Sequence, residues 1–401
     1  MVEDAYSGKT TVTDNIPVGP AAAGSFLSHV GYGLTQIMEQ GYGTVTDTGR
    51  VSTGGFVDPL KSLVALRRED VRNMSFKLAD QELPSIYDSR KTVENYMRYC
   101  TARKPGLEGE SAMKNVMSDQ LPDALYLNSS YYTTMVMDSV TGTLKTCKEA
   151  QADISSIYSK ITDSSSIERA FQTLSGTNTS AEDVGTDSRL VRLQDFLASF
   201  SATTAANTKD LFAAGIMYPL MESARAGHLK DGMDVAASAA INSAIQTRNA
   251  QWAYEGSSFL QTMRPMMAIL EAIVYAISPI AAIIVVMGSA GMAMVGKYMQ
   301  MIFWLQLWMP MMSIINLYSI NSAAEKFYQM TGYDSEMQLG SFYAFNNYST
   351  MAEAYTSTAG MMLGAVPLLA MMIATGSIYT LNSLAGRMTS PDTFDEGRIS
   401  A

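Results

Sequence analysis

Apolar and charged positions separate at Arg264: from Pro265 to Ala324 the only charged residues are Glu271 and Lys297. The run from Met266 to Met287 exceeds the ~20 apolar residues that cross a hydrocarbon core of roughly 30 Å, and it predicts a first spanning helix over 263–290. Gly288-Ser-Ala-Gly291 interrupts the pattern, which resumes from Ile302 to Leu317, so a tight turn and a second span over 291–322 complete a hairpin. A third uncharged segment, Ala354 to Gly386, predicts a span over 354–386, with a loop over 323–353 before it and a tail over 387–401 after it. Pro279 and Pro310 each remove an intrahelical hydrogen bond and predict kinks.

Before Arg264 the apolar residues recur at helical spacing among charges. Helices are predicted over Ser89 to Ala102, Thr146 to Ile161, Ser166 to Leu174, Ala181 to Ser199 and Thr208 to Gly227. Ser165 and Asp187 stand where helix N-termini need side-chain acceptors. The Ala-rich run from Val235 to Ala253 predicts a helix that continues into the first span and ties domain to membrane. Gly41 to Phe56, rich in Gly and Thr, reads as loop with a short hairpin. Pro17 and Pro20 predict an extended arm over 1–20. In the helix predicted over 21–40, Phe26, Val30, Leu34 and Ile37 share helical spacing with almost no charge. Such a helix lies flat on a membrane, packs on the spans, or is an ordinary buried amphipathic helix. The fold class is mainly α: a helical domain over 41–262 followed by about three transmembrane helices.

Composition narrows the function. Only 16% of the 401 residues are charged, against about 25% in soluble proteins, in keeping with a membrane part. A net charge of -10 argues against a general binder of phosphate backbones. His29 and His228 are the only histidines and form no HExxH or other metal pair, and no Gly-x-Ser-x-Gly elbow is present. Gly291 to Lys297 fits the GxxxxGK part of a phosphate loop. Tyr298, however, follows where Ser or Thr must hold magnesium, and the preceding element is an apolar helix. No catalytic residue, metal site or cofactor is predicted, and the chain reads as a non-enzyme.

Polar groups inside the spans are the candidate functional residues. Glu271 lies about two turns into the first span, where a carboxylate is costly unless it faces an aqueous cavity or reaches the interface. Gln306, Ser313 and Asn316 either hydrogen-bond between helices or line a polar lumen. Gly360-Met-Met-Leu-Gly364 has the small-xxx-small spacing that lets helices approach closely. Lys297 and Tyr298 read as interface anchors, with Trp304 and Trp308, which share a helix face, placed beside them. Nineteen of the 30 Met lie from Met263 to Met388, suited to irregular packing or simply to lipid-facing bulk.

Loop charges orient the spans. The second loop carries Glu325, Lys326, Asp334, Glu336 and Glu353, whereas the hairpin turn ends at Lys297. Short cytoplasmic loops carry the excess of Lys and Arg, so the turn and the tail after Arg387 face inside, and the N-terminal region faces outside. Met1 to Lys9 lacks the basic start and apolar stretch of a signal peptide, which leaves an upstream membrane segment or the inverted topology. An outside location would let Cys100 and Cys147 pair, and an inside one would keep them as buried thiols.

Three stretches carry a resemblance. They are the Asp14-Asn-Ile-Pro-Val-Gly19 arm, Cys100 with Thr146-Cys-Lys-Glu149, and Lys297-Tyr-Met-Gln-Met-Ile-Phe-Trp-Leu-Gln-Leu-Trp-Met-Pro310. Together they resemble the N-terminal part of the TraG proteins of F-type conjugative transfer systems. Met309 before Pro310 is a small departure from the family's Trp-Pro. The resemblance implies an inner-membrane component of a type IV secretion machine, with a periplasmic domain holding two cysteines, here Cys100 and Cys147, as a disulfide. It also implies roles in pilus assembly and mating-pair stabilisation. The family's large C-terminal periplasmic region has no counterpart before Ala401, so its activities do not carry over. By its place in the machine the membrane part is similar to polytopic channel subunits that form rings. That implies a homo-oligomer in the bilayer, with Glu271, Gln306 and Asn316 facing a path and Gly360 and Gly364 in helix contacts. The implied partners are other type IV secretion subunits and, in passing, pilin, DNA or protein cargo. The expected function is a channel or pilus-assembly platform, or alternatively a non-conducting scaffold for mating-pair stabilisation.

Overall fold

A computed structural model describes residues 2–3, 10–11, 18–41, 50–51, 56–68, 86–104, 121–138, 141–163, 189–198, 205–228, 289–333 and 340–376, and most of 266–288. The helices predicted over 166–174 and 235–253, most of the 41–56 loop and the 387–401 tail lie outside the described residues.

The described chain is mostly helical. In the N-terminal arm β1 (Val2–Glu3) pairs antiparallel with β2 (Thr10–Thr11). Helix α1 (Val18–Gly41) starts before Pro20, correcting the boundary of the extended arm. In a first turn proline forfeits nothing, because its missing N–H has no intrahelical acceptor there. Next come α2 (Asp58–Arg68), α3 (Ile86–Tyr99), the short α4 (Leu121–Leu125), and the hairpin of β3 (Thr133–Asp138) and β4 (Thr141–Thr146). Helices α5 (Cys147–Ile161), α6 (Arg189–Ala198) and α7 (Ala205–His228) follow. Three predicted helices thus have counterparts in α3, α5 and α7, and α6 lies within a fourth. Helix α2 and the β3–β4 hairpin were not predicted.

The hairpin forms because its two strands are rich in Thr with Val and Met, residues that suit a pleated ladder, and its register runs from Thr133 opposite Thr146 to Asp138 opposite Thr141. It sits between the two cysteines. Cys100, just past α3, is bonded to Cys147, the first residue of α5, with the Cα atoms 5.8 Å apart and both side chains fully buried. Around this link the backbone is well satisfied: Cys147 N–H donates to the Tyr132 carbonyl (2.8 Å), and Leu127 N–H to the Tyr96 hydroxyl (3.1 Å). The Thr101 hydroxyl donates to the Leu125 carbonyl (2.9 Å). Thr146-Cys-Lys-Glu149 is a capping box: the Thr146 hydroxyl accepts from Glu149 N–H, and the Glu149 carboxylate accepts from Thr146 N–H at 3.0 Å.

The division into a soluble half and a membrane half holds only in part. One hydrophobic core runs from Phe56 in front of α2 through α3, α5, α6 and α7 to the long C-terminal helices. Those helices are α8 (Ile269–Ala281), α9 (Ser289–Gln306), α10 (Trp308–Tyr333) and α11 (Phe342–Thr375). The stretch predicted as a loop over 323–353 is corrected: α10 continues to Tyr333, and α11 begins at Phe342 with the Ser341 hydroxyl capping Ala344 N–H. The reason is burial of aromatic residues against the N-terminal domain. Phe327 packs edge-on against Tyr348 (centroids 4.8 Å) and Phe196 of α6 (6.0 Å). Phe345 fills the space left by Gly215 of α7, where a Cβ would stand 2.7 Å from its ring.

Two stretches are long and apolar enough to cross a membrane: Gly291–Met330, mean hydropathy 1.3, and Phe342–Thr375, mean hydropathy 1.7. The predicted first span is represented by α8, which the structure describes only in part. The described residues contain two helices of spanning length. Gly288 turns at φ 76° into α9, where the tight turn was predicted. At the other end Gly376, at φ 66°, caps α11 through a bond to the Met372 carbonyl, ten residues before the predicted end of that span.

Replacing Cys100 and Cys147 together by Ser is expected to destabilise the chain by about 4 kcal/mol on the loop-entropy model. Urea unfolding in detergent, with and without reductant, measures this; identical curves for variant and wild type would refute it. Hydrogen bonds from the Thr146 backbone and hydroxyl hold the Glu149 carboxyl below the ordinary glutamate range. Its contribution is present above that range and is lost as pH falls through the lowered value. Glu149→Ala removes that contribution and should therefore be less stable than wild type at neutral pH and approach it in acid, which unfolding at pH 7 and pH 3 tests.

Candidate functional site

The polar residues of the apolar helices converge on the join between α9 and α10. Pro310 has no N–H to donate to the Gln306 carbonyl, so one bond of the helical ladder is missing between α9 and α10, while Leu307 N–H still donates to the Phe303 carbonyl (3.2 Å) and Met311 N–H to the Leu307 carbonyl (3.1 Å). Helix α1 crosses over this point. Gly31 lies so close that a Cβ there would stand 2.9 Å from the Gln306 carbonyl oxygen and 3.2 Å from its Cβ. The Gln306 side chain, whose Oε1 also lies 3.5 Å from that Cβ position, donates through its amide N–H to the Glu271 carboxylate of α8 at 2.7 Å. The structure thus joins Glu271 and Gln306, both half-buried.

Helix α9 is also fastened to α11. Gln300 donates to the Ala374 carbonyl (2.6 Å), and the Trp304 indole N–H to the Pro367 carbonyl (2.8 Å). The donors are four residues apart and the acceptors seven apart, so each pair lies on one helix face, and the opposite order makes the helices antiparallel. The Tyr298 hydroxyl donates to the Val274 carbonyl of α8 (2.9 Å). These bonds satisfy polar groups where a surrounding hydrocarbon would offer none.

Trp308 is buried, and its ring meets Trp304 edge-on with centroids 5.1 Å apart. Both rings therefore pack between helices, correcting their placement as interface anchors; Lys297 is exposed, and Tyr298 is half-buried. Asn316, fully buried, lies about 15 Å further along α10. Its side-chain oxygen accepts from Val57 N–H at 2.6 Å. It bonds to another segment of the chain, which is one of the two roles expected of it. Val57, at φ 45°, is the one non-glycine residue with positive φ among the described residues, an expensive conformation for a β-branched side chain. It is enclosed completely and leads into α2, so Asn316 fixes where α2 begins. Ser313 is buried. Of the two glycines, Gly360 is buried, whereas Gly364 is exposed with nothing within 4 Å of an added Cβ. Gly364 therefore makes no helix contact within the chain.

A second junction links the disulfide-bonded region to the start of α11. The Tyr158 hydroxyl of α5 donates to Asp210 of α7 at 2.5 Å, and a Cβ at Gly340 would stand 2.5 Å from the Asp210 Cβ. Burial, then the Asp210 carboxylate, push the Tyr158 hydroxyl well above its ordinary range, so it stays a proton donor. Gly31, Gln300 and Val57 were missed as site residues. Gln300 stands out as an amide in an apolar run, and Gly31 as a helix-interior glycine, a position that usually has a packing reason. Nothing in the sequence marks Val57.

Gly291 to Lys297, the near phosphate-loop motif, lies inside α9. Among the described residues no three His, Cys, Asp or Glu side chains gather as a metal site. Two apolar helices of spanning length, cross-linked by half-buried amide and indole hydrogen bonds, point to a helical membrane protein. The chain belongs to the family described as TraG-like protein, N-terminal region, which matches residues 1–396, and this makes it a protein of conjugative transfer. No curated protein and no solved structure matches it.

Gly31→Ala forces a Cβ against backbone and is expected to cost about 1–3 kcal/mol, whereas Gly33→Ala, with nothing within 4 Å, should be neutral or stabilising. Equal melting temperatures for the two variants in detergent would refute the close crossing. Asn316→Ala leaves the buried Val57 N–H without its acceptor, an expected loss of about 1–3 kcal/mol, read by the same melts.

Proposed function

We propose that this chain is an inner-membrane component of a conjugative type IV secretion system that acts as an oligomeric platform for pilus assembly. Its disulfide-bonded domain lies in the periplasm. The observation that carries this reading is the continuous core. Helices α10 and α11 run from the apolar, spanning-length region directly into packing with α2, α6 and α7. A displacement of the N-terminal domain is thereby passed to the membrane helices through packed helices. The enclosed Cys100–Cys147 bond supports an oxidising compartment for that domain. The isoleucine face of α8, with Ile269, Ile273, Ile277 and Ile280 all exposed, supports a place in lipid for this helix.

A conduit is the second reading, favoured by the half-buried Glu271–Gln306 pair at the join of α9 and α10. One substitution separates the two. Glu271→Gln keeps an acceptor for the Gln306 amide and removes the charge. On the platform reading, pili and transfer frequency stay near wild type with Glu271→Gln and both fall with Glu271→Leu. On the conduit reading, Glu271→Gln alone lowers transfer while pili still assemble.

The disulfide gives a separate test of location. After free thiols are blocked in intact cells, the denatured protein should change gel mobility with reductant only when the cell's periplasmic disulfide oxidase is present. A mobility indifferent to that oxidase would overturn the periplasmic placement.

A further inference from the structure

The two edges of the β3–β4 hairpin differ in what covers them. Successive residues of an antiparallel strand point their backbone groups alternately toward the partner strand and away from it. The Tyr132 carbonyl accepts from Cys147 N–H, so the ladder bonds join Thr134 to Lys145, Val136 to Thr143 and Asp138 to Thr141. The residues between them, among them Met135 on β3 and Gly142 and Leu144 on β4, therefore point their N–H and C=O groups outward. On β3 this outer edge is covered: α3 packs along the strand, and the Asn95 side chain donates to the Met135 carbonyl at 3.1 Å. At the end of β4 the outward Thr146 N–H is taken by Glu149. Gly142 and Leu144 have no such partner among the described residues, so the β4 edge offers two donors and two acceptors at a spacing of two residues.

This edge also lacks the usual protection. Natural sheets guard an open edge with a charge, a proline or a bulge. Strand β4 has no proline, and each of its six residues has one opposite number on β3, so it has no bulge. Its one charge, Lys145, is bonded to Asp153 at 2.7 Å. Gly142, Thr143 and Leu144 are all exposed, and Leu144, at 70%, stands opposite Met135, at 45%, on the outward face of the hairpin. Water satisfies the backbone of such an edge but leaves that apolar pair wet.

We infer that β4 pairs antiparallel with β4 of a second copy of the chain, joining two hairpins into one four-stranded sheet. The alternation fixes the register. Only outward-pointing residues bond across, so Gly142 meets Leu144 of the partner subunit, Leu144 meets Gly142 of the partner subunit, and the two-fold axis passes at Thr143. All four free groups of each copy are then used. A slip by one residue sets outward groups against inward ones, and a slip by two leaves Gly142 or Leu144 without a free mate. The side chains fit the same register. Each Leu144 lies beside a glycine, which has no side chain to meet it, and Thr143 faces Thr143 of the partner subunit, a favourable cross-strand pair. Lys145 falls opposite Thr141 of the partner subunit, so no like charges meet. The inference rests on the platform reading and supplies one subunit contact of that platform, in the disulfide-bonded domain.

The test is oxidation of single-cysteine variants of the full chain in native membranes, read on gels run without reductant. Directly opposite residues that do not share ladder bonds are the closest pairs of an antiparallel sheet, with Cα atoms about 4.5 Å apart. Thr143→Cys should therefore form a dimer with itself. Thr141→Cys and Lys145→Cys should each stay monomeric alone and link to one another when co-expressed. Leu144→Pro removes an outward N–H that β3 does not use, as prolines on edge strands do. Combined with Thr143→Cys it should abolish the dimer while the melting temperature in detergent stays near that of wild type. A Thr143→Cys monomer would overturn the pairing, and so would a dimer that survives Leu144→Pro. An adduct of another mass would place a different protein on the edge and overturn it too. The particle mass of the wild-type chain in mild detergent separates the failures: an oligomer without the Thr143 link refutes the β4 contact alone, whereas a monomer refutes the oligomeric platform as well.

Discussion

The arrangement of the apolar helices depends on one missing hydrogen bond. Because Pro310 cannot donate to Gln306, the helix of spanning length lacks one backbone bond at the join of α9 and α10. Around that point Gly31 brings the α1 backbone against the Gln306 carbonyl, the Gln306 amide reaches Glu271, and Trp304 packs on Trp308. Both α9 and α10 pack against α1 and α11, and α10 goes on into the domain core.

That core changes the mechanical picture of the molecule. A soluble domain attached through a single helix would move independently of the membrane part. Here α11 is gripped at its start by aromatic packing with α2 and α7, and near its end by Gln300 and Trp304. Asn316 holds Val57 in a strained backbone conformation, and such strain persists only where the surroundings over-determine it. The disulfide, the β3–β4 hairpin and the Thr146 capping box stiffen the far side of the same unit. On the proposed reading of the chain as a platform, a stiff path between domain and apolar helices is a functional property.

Much of this was legible in the sequence, and the particular exceptions are instructive. Helical spacing located α3, α5 and α7, and absence of charge located the apolar helices, because both signals come from residues near one another along the chain. The hairpin escaped because its Thr-rich strands carry little alternation of apolar and polar residues, the usual signature of a strand. The continuation of α10 and the early start of α11 were read as loop because charged residues return there after the uncharged run. Phe327, Phe342, Phe345 and Tyr348 make those turns helical only by finding the domain core, which no local window contains.

The sequence by itself determined the helical character, the apolar stretches, the pair of cysteines and the likeness to the TraG family, since each is written in composition, period or short motif. Tertiary structure alone decided which polar groups meet. Gln306 found Glu271 while Asn316, ten residues on, found Val57, and Gly364 turned outward while Gly360 was buried. Those outcomes depend on where helices cross and how each is rotated about its axis. Both are set by the packing of side chains far apart in the chain, and a one-dimensional pattern does not record that.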